Sequence, residues 1–283
     1  MKISVVIPCY KSKKILKRVI KNIPKFVNHI ILVDDKCPEN TVLHSLKKNS
    51  DKRIFAIFNS KNLGVGGSVL KGYNKALKLD SNLIIKVDSD GQMDLSKMKK
   101  ILQIFKDDPT VGYVKANRFY SFKSIIKIPP IRLIGNLILS ILNKFSSGYW
   151  KINDPTNGYT AIKSDYCKKL KFNKIKKNFF FESDMLFHLN SLRAKVIDLN
   201  VESKYRSDNS SNLVIPRIIP YFLKNHIINF LKRINSNKIL LVLYIAIVLV
   251  IPIFAFVQIK YKYTFFLILV ILTILYDVSK EPK

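Results

Sequence analysis

Two periodicities alternate along the first part of the chain. Short β-branched runs at 3–7, 30–33, 53–58, 83–87 and 111–115 predict strands, and apolar residues spaced by three and four at 15–22, 41–48, 68–79 and 95–105 predict helices between them. Strand and helix in alternation predict an α/β domain with a mostly parallel sheet covered on both faces, in which ligands bind beyond the carboxyl ends of the strands. Those ends fall at 8–12, 34–37, 59–67 and 88–92, where polar residues and glycines gather. Farther on, Ile131, Ile134, Ile138, Ile141, Leu142 and Phe145 form an apolar stripe, with Arg132, Asn136, Asn143 and Lys144 largely off it. That pattern predicts an amphipathic helix, packed on the domain or lying on a membrane surface.

After Lys238 the pattern changes, because 239–257 contains no charged residue and is long enough for a bilayer-spanning helix of ~20 residues. A second apolar run at 263–276 is shorter than the usual minimum of about 17 residues, with Tyr261 and Tyr263 suited to the interface. The expected organisation is an α/β domain over 1–212, an amphipathic interfacial connector over 213–237 and a two-helix transmembrane anchor over 238–283. The apolar run at 3–8 is too short for a signal peptide, and Lys224, Lys232, Arg233 and Lys238 crowd the start of the first span. Both features lead to the expectation of an N-terminal domain in the cytoplasm, on the inner face of the cell membrane, although Lys260 and Lys262 in the connecting loop weigh the other way.

Charge adds a restriction. Lys and Arg number 49 against 19 Asp and Glu, a net +30, yet the lysines are scattered without aromatic-interleaved stripes or a nucleic-acid motif. A solvated lysine-rich surface is one expectation and attraction to an anionic membrane leaflet the other, with no nucleic-acid partner. Cys9, Cys37 and Cys167 are odd in number and far apart, which suits neither a disulfide framework nor a zinc site.

The sharpest candidate chemistry is Asp88-Ser89-Asp90-Gly91-Gln92 directly after an apolar strand. Asp-Gly is common in ordinary turns. Two carboxylates one residue apart at a strand end can also converge on a hard divalent cation, Mg²⁺ or Mn²⁺, with Gln92 adding a neutral oxygen, and such a cation neutralises a diphosphate leaving group. Neighbouring strands end in Pro8-Cys9-Tyr10 and Val33-Asp34-Asp35, an aromatic ring and carboxylates fit to hold a base and its ribose. The glycines of 62–67 lead into a helix whose bare backbone suits a phosphate-bearing ligand. They lack the third-glycine spacing of the dinucleotide fingerprint and follow the third strand, which argues against a nicotinamide enzyme.

In these stretches, and in 153–162 and 180–184, the chain resembles the glycosyltransferase family 2 enzymes of GT-A fold, particularly the dolichyl- or polyprenyl-phosphate sugar synthase branch. The resemblance implies that Pro8, Tyr10, Val33 and Asp35 line the nucleotide pocket, and that Asp88, Ser89, Asp90 and Gln92 hold metal and diphosphate. It implies that Arg118 and Arg206 meet donor or acceptor phosphates, that Asp154 and Asn157-Gly158-Tyr159 form the acceptor side, and that Glu182 or Asp184 supplies a base. Ser12, Lys36-Cys37 and the lack of an arginine in 157–160 depart from the branch and leave the donor open. The expected activity is a metal-dependent inverting transfer of a sugar from a UDP- or GDP-sugar to a polyprenyl phosphate. A rival acceptor is a lipid-linked surface glycan, for which Asp184 would be the base. A reading of another class is a non-catalytic membrane scaffold that binds sugar nucleotides. Self-association as a homo-oligomer is left open.

Overall fold

The computed structural model describes residues 1–47, 49–126, 128, 130–202, 215–256 and 262–282; Arg206 and Lys260 lie outside them. Seven strands among these residues form one sheet: β1 (Ile3–Cys9), β2 (His29–Asp34), β3 (Ile54–Phe58), β4 (Leu83–Lys86), β5 (Val111–Asn117), β6 (Thr160–Lys163) and β7 (Lys195–Asn200). The helices of the first half are α1 (Leu16–Lys21), α2 (Thr41–Leu46), α3 (Gly64–Lys78), α4 (Met98–Asp107) and α5 (Phe122–Ile126). The second half adds α6 (Pro130–Ser147), α7 (Ser164–Lys169), α8 (Phe181–Ser191), α9 (Ile215–Asn235), α10 (Lys238–Phe256) and α11 (Lys262–Ser279).

Strand order is β3-β2-β1-β4-β6-β5-β7, and only β6 runs against its neighbours. The five strands read from the sequence are all present, whereas β6 and β7 are additions. Four-residue β6, Thr-Ala-Ile-Lys, is too short to show a period, and β7 mixes Lys195 and Asp198 into its apolar run. β1 and β5 are buried at every position, so their side chains fill both faces of the sheet. Alternate residues divide between two cores. Val5, Ile7, Ile30, Leu32 and Ile85 pack with α1 and α4, while Val6, Ile31, Val33 and Ile84 pack with α3 and α8. Each such side chain contributes about 1.5–3 kcal/mol by leaving water.

Helix α9 docks on α6 and α8 through polar as well as apolar contacts. His226 Nδ1 lies 2.8 Å from Ser146 Oγ, and its ring stands edge-on to Phe180. Asn229 Nδ2 donates to Asp184 Oδ1 at 2.8 Å. The connector expected between domain and anchor is therefore held against the catalytic domain. α10 and α11 pack on each other, and both present apolar side chains outward, Val242 and Val248 from one and Leu267 and Leu275 from the other. Among the described residues no helix is long and apolar enough to cross a membrane, so the expected spanning hairpin has no support from them.

Burial pushes the His226 pKa down from 6.5 to about 4, with the Asp184 carboxylate only partly opposing it. The unfolded chain therefore takes up this proton first, and stability is lost as pH falls from 6.5 through about 4. Urea unfolding across that window should show the loss in the wild type and a flatter profile in His226→Gln.

Candidate active site

β4 carries the centre of the site because it places a charge inside the sheet. Lys86 is fully buried, and its Nζ contacts Asp88 Oδ1 at 2.8 Å and Glu182 Oε1 of α8 at 2.7 Å. Burial opposes the ammonium form, but the Asp88 and Glu182 carboxylates outweigh it and raise the Lys86 pKa. Asp88 is thereby held by one oxygen while its side chain stays about 31% exposed. Asp90 is half-buried, and burial followed by repulsion from Asp88 raises its pKa. The Gln92 N–H donates to Asp90 Oδ1 at 3.0 Å and fixes that turn.

Asp88, Asp90 and Gln92 line a cavity of about 150 Å³ with Arg118, Asn157 and Glu202. The residues expected on the acceptor side come from the segment leading into β6, whose first residue, Thr160, is opposite both Lys86 and Lys115 in the sheet register. A Cβ on Gly158 would collide with Asp88 Oδ2 and Lys86 Nζ, so any larger residue there must displace those charged groups. Asp154 is fully buried and receives a bidentate grip from Arg118, with Nε–Oδ2 at 2.6 Å and Nη2–Oδ1 at 2.8 Å. Asn157 Nδ2 also donates to it at 3.2 Å, and Tyr159 is buried beneath. Arg118, expected to meet phosphate, thus spends its fork on Asp154 while still bordering the cavity.

Other expected residues are arranged differently. Asp35 accepts the backbone N–H groups of Leu63 and Gly64 at 2.7 and 2.9 Å and the Asn59 amide at 2.9 Å. Its carboxylate therefore occupies the start of α3, the position the glycine cluster suggested for a ligand phosphate. Gly66 serves packing there, since a Cβ would lie 2.7 Å from both Lys176 O and Phe181 Cβ. Pro8 pairs with Val33 at the ends of β1 and β2, and Tyr10 follows with 43% exposure. Ser89 lies next to the crevice, bonded to Ser12 Oγ at 2.8 Å.

The two candidate bases point to different places. Glu182 is bound to Lys86, whereas Asp184 turns toward α9, accepting from Lys176 N and Asn229 Nδ2 at 2.8 Å each. Its pKa is lowered because hydrogen bonds, with His188 foremost, overcome the larger opposing effect of burial.

Sequence reading missed Lys86 and Lys115. The available signal was a lysine interrupting an apolar strand, Leu-Ile-Ile-Lys and Tyr-Val-Lys-Ala, where a charge is rarely buried without a partner. Lys115 Nζ donates to Asn157 O at 2.7 Å, and burial lowers its pKa to about 8 despite Glu182 and Asp154. Lysine side-chain NMR should show one amine titrating near pH 8 that disappears in Lys115→Met, while Lys86 stays charged.

Comparison with known proteins agrees with this architecture. The chain is 28% identical over 182 residues to the UDP-N-acetylglucosamine--dolichyl-phosphate N-acetylglucosaminyltransferase of Methanococcus voltae, covering 59% of this chain and 72% of the relative. It is 23% identical over 243 residues to the dolichol-phosphate mannosyltransferase of Pyrococcus furiosus, covering 82% and 64% of the two. In fold it is similar to glucosyl-3-phosphoglycerate synthase of Mycobacterium tuberculosis, solved with Mn²⁺, UDP and glucosyl-3-phosphoglycerate. That match has a TM-score of 0.58 at 14% identity over 82% of this chain and 79% of the other, and it identifies the fold as GT-A-like. The family model for glycosyl transferase family 2 matches residues 4–171, more than half of the chain, and the protein belongs to that family.

Proposed function

We propose that the protein is an inverting glycosyltransferase that moves a sugar from a UDP- or GDP-sugar to a polyprenyl phosphate, with its catalytic domain at the cytoplasmic face of the cell membrane. The observation that carries the acceptor is the engagement of both candidate bases. Glu182 is tied to Lys86, and each Asp184 oxygen has a hydrogen-bond partner. A sugar hydroxyl needs a base to take its proton, whereas a phosphate oxyanion is already nucleophilic. The activities of the Methanococcus and Pyrococcus relatives support the same acceptor class.

The donor set at the strand end fits a hard divalent cation. Burial, and after it repulsion from Asp88, raises the Asp90 pKa, a repulsion that a cation relieves, and Gln92 adds an amide oxygen. Among the described residues no group of three or more His, Cys, Asp or Glu side chains forms a ready-made ion site. The remaining oxygens of such a shell would come from donor diphosphate and water. When bound, Mg²⁺ or Mn²⁺ offsets the negative charge that grows on the departing nucleoside diphosphate. Lys86 holds one oxygen of Asp88 and aims the carboxylate, Gly158 allows acceptor approach, and Arg118 with Asp154 stiffens the wall between them. Pro8, Val33 and exposed Tyr10 are the proposed nucleotide wall, with Asp35 shaping it through α3. The outward apolar side chains of α10 and α11 support membrane attachment.

Neutralising both carboxylates, as Asp88→Asn and Asp90→Asn, should lower nucleoside diphosphate release by about 10²–10³-fold each, and chelation should abolish release in the wild type. Gly158→Ala should lose about 10²-fold by displacing Asp88. Undiminished turnover in the two Asn variants, followed with undecaprenyl phosphate and a panel of donors, would remove the mechanism.

A further inference from the structure

The end of α11 returns to the catalytic domain beside the segment that leads into β6. Asp277 is buried, and Arg233 of α9 grips it with Nη1–Oδ1 at 2.5 Å and Nη2–Oδ2 at 2.8 Å. The same guanidinium donates through Nε to Phe145 O at the end of α6, at 3.0 Å. Trp150 Nε1 donates to Asp277 Oδ2 at 3.1 Å, and the Lys151 N–H donates to Glu281 Oε1 at 3.2 Å. Phe145 and Trp150 stack edge-to-face at 5.0 Å.

A buried ion pair survives only when further hydrogen bonds satisfy its remaining atoms, and here Phe145 O and Trp150 supply them. The partners are far apart in sequence, 127 residues for Trp150–Asp277 and 130 for Lys151–Glu281. Residues 150–159 have no helix or strand of their own. The segment depends on outside partners: the Asn153 backbone N–H donates to Asp198 Oδ2 at 3.0 Å, and the buried Asp154 carboxylate is held by Arg118. The C-terminal residues thus hold the front of the segment whose rear is Asn157-Gly158. A helix pair serving only as an anchor would need no such contacts, since α9 already connects it to the domain.

We infer that the C-terminal helix pair is a latch for the acceptor-side segment: Arg233, Asp277 and Glu281 are positioning residues that act through Trp150 and Lys151 on residues 153–158. The inference rests on the acceptor-side reading proposed above, and it ties placement of α10 and α11 to the shape of the lipid-phosphate side of the site.

The test uses the full chain in detergent or lipid nanodiscs. In Asp277→Asn, hydrogen exchange of peptides covering 150–158 should rise about tenfold while those covering 83–92 stay unchanged. The KM for undecaprenyl phosphate should rise about fivefold, with kcat and donor KM within about twofold of wild type. Trp150→Phe keeps a ring against Phe145 and removes only the indole N–H, so it should shift both measurements less, in the same direction, and it serves if Asp277→Asn does not fold. Unchanged exchange at 150–158 in both folded variants, or a donor KM that moves as much as the acceptor KM, overturns the latch. If the wild type transfers no sugar to a lipid phosphate, the function proposed above fails, and the exchange measurement still decides the latch.

Discussion

A lysine ammonium sealed inside the central sheet governs the arrangement around it. Removing an ammonium from water costs several kcal/mol, and only closely placed opposite charge offsets it. Lys86 has two such partners, Asp88 two residues along its own chain and Glu182 on α8. Because Asp88 must keep one oxygen on Lys86, its rotamer is restricted and the carboxylate sits where the cavity begins. Because Glu182 is held by the same cation, α8 is registered against β4. Losing one member of such a buried set typically costs 3–5 kcal/mol, so this arrangement specifies structure as well as chemistry.

The second constraint is the reversed direction of β6. Parallel strands end together at one edge of a sheet, and their following loops form the crevice there. A strand running the opposite way between β4 and β5 begins where those two end, so the residues preceding it enter the crevice from within the sheet. Asp154, Asn157 and Gly158 reach Arg118, Lys115 and Asp88 by that route. Gly158 permits the closest approach, and the Lys115–Asn157 bond pins the turn from below. The acidic turn and the segment around Asn157-Gly158 are about 65 residues apart in sequence yet line one cavity side by side.

The helices after β7 complete the same region from outside. α9 bonds to α6 and α8 through His226, Asn229 and Arg233, all buried, and α11 adds Asp277. Polar contacts between helices are directional, so they select one docking register where apolar packing alone would tolerate several. α6 faces α9 with Ser146 and the Phe145 carbonyl, while Ile134, Ile138 and Ile141 of the same helix remain exposed.

The periodic first half of the chain was legible by itself. Five strands, the helices between them, the crevice at their carboxyl ends and the acidic turn at 88–92 follow from local pattern, because each element buries a face with its own regular spacing. The glycine cluster was legible as a helix start but not in its role, since the Asp35 carboxylate that fills that helix end lies 28–29 residues away in sequence. β6 was illegible because four residues carry no period, and the fate of Glu182, Asp184 and Arg118 was illegible because two carboxylates or an arginine look alike until a partner is placed beside them. Sequence alone determined the periodic elements and the chemistry available to them. Tertiary structure decided which charges neutralise each other inside the protein and which remain for a ligand, because that choice depends on distances between residues that local pattern does not encode.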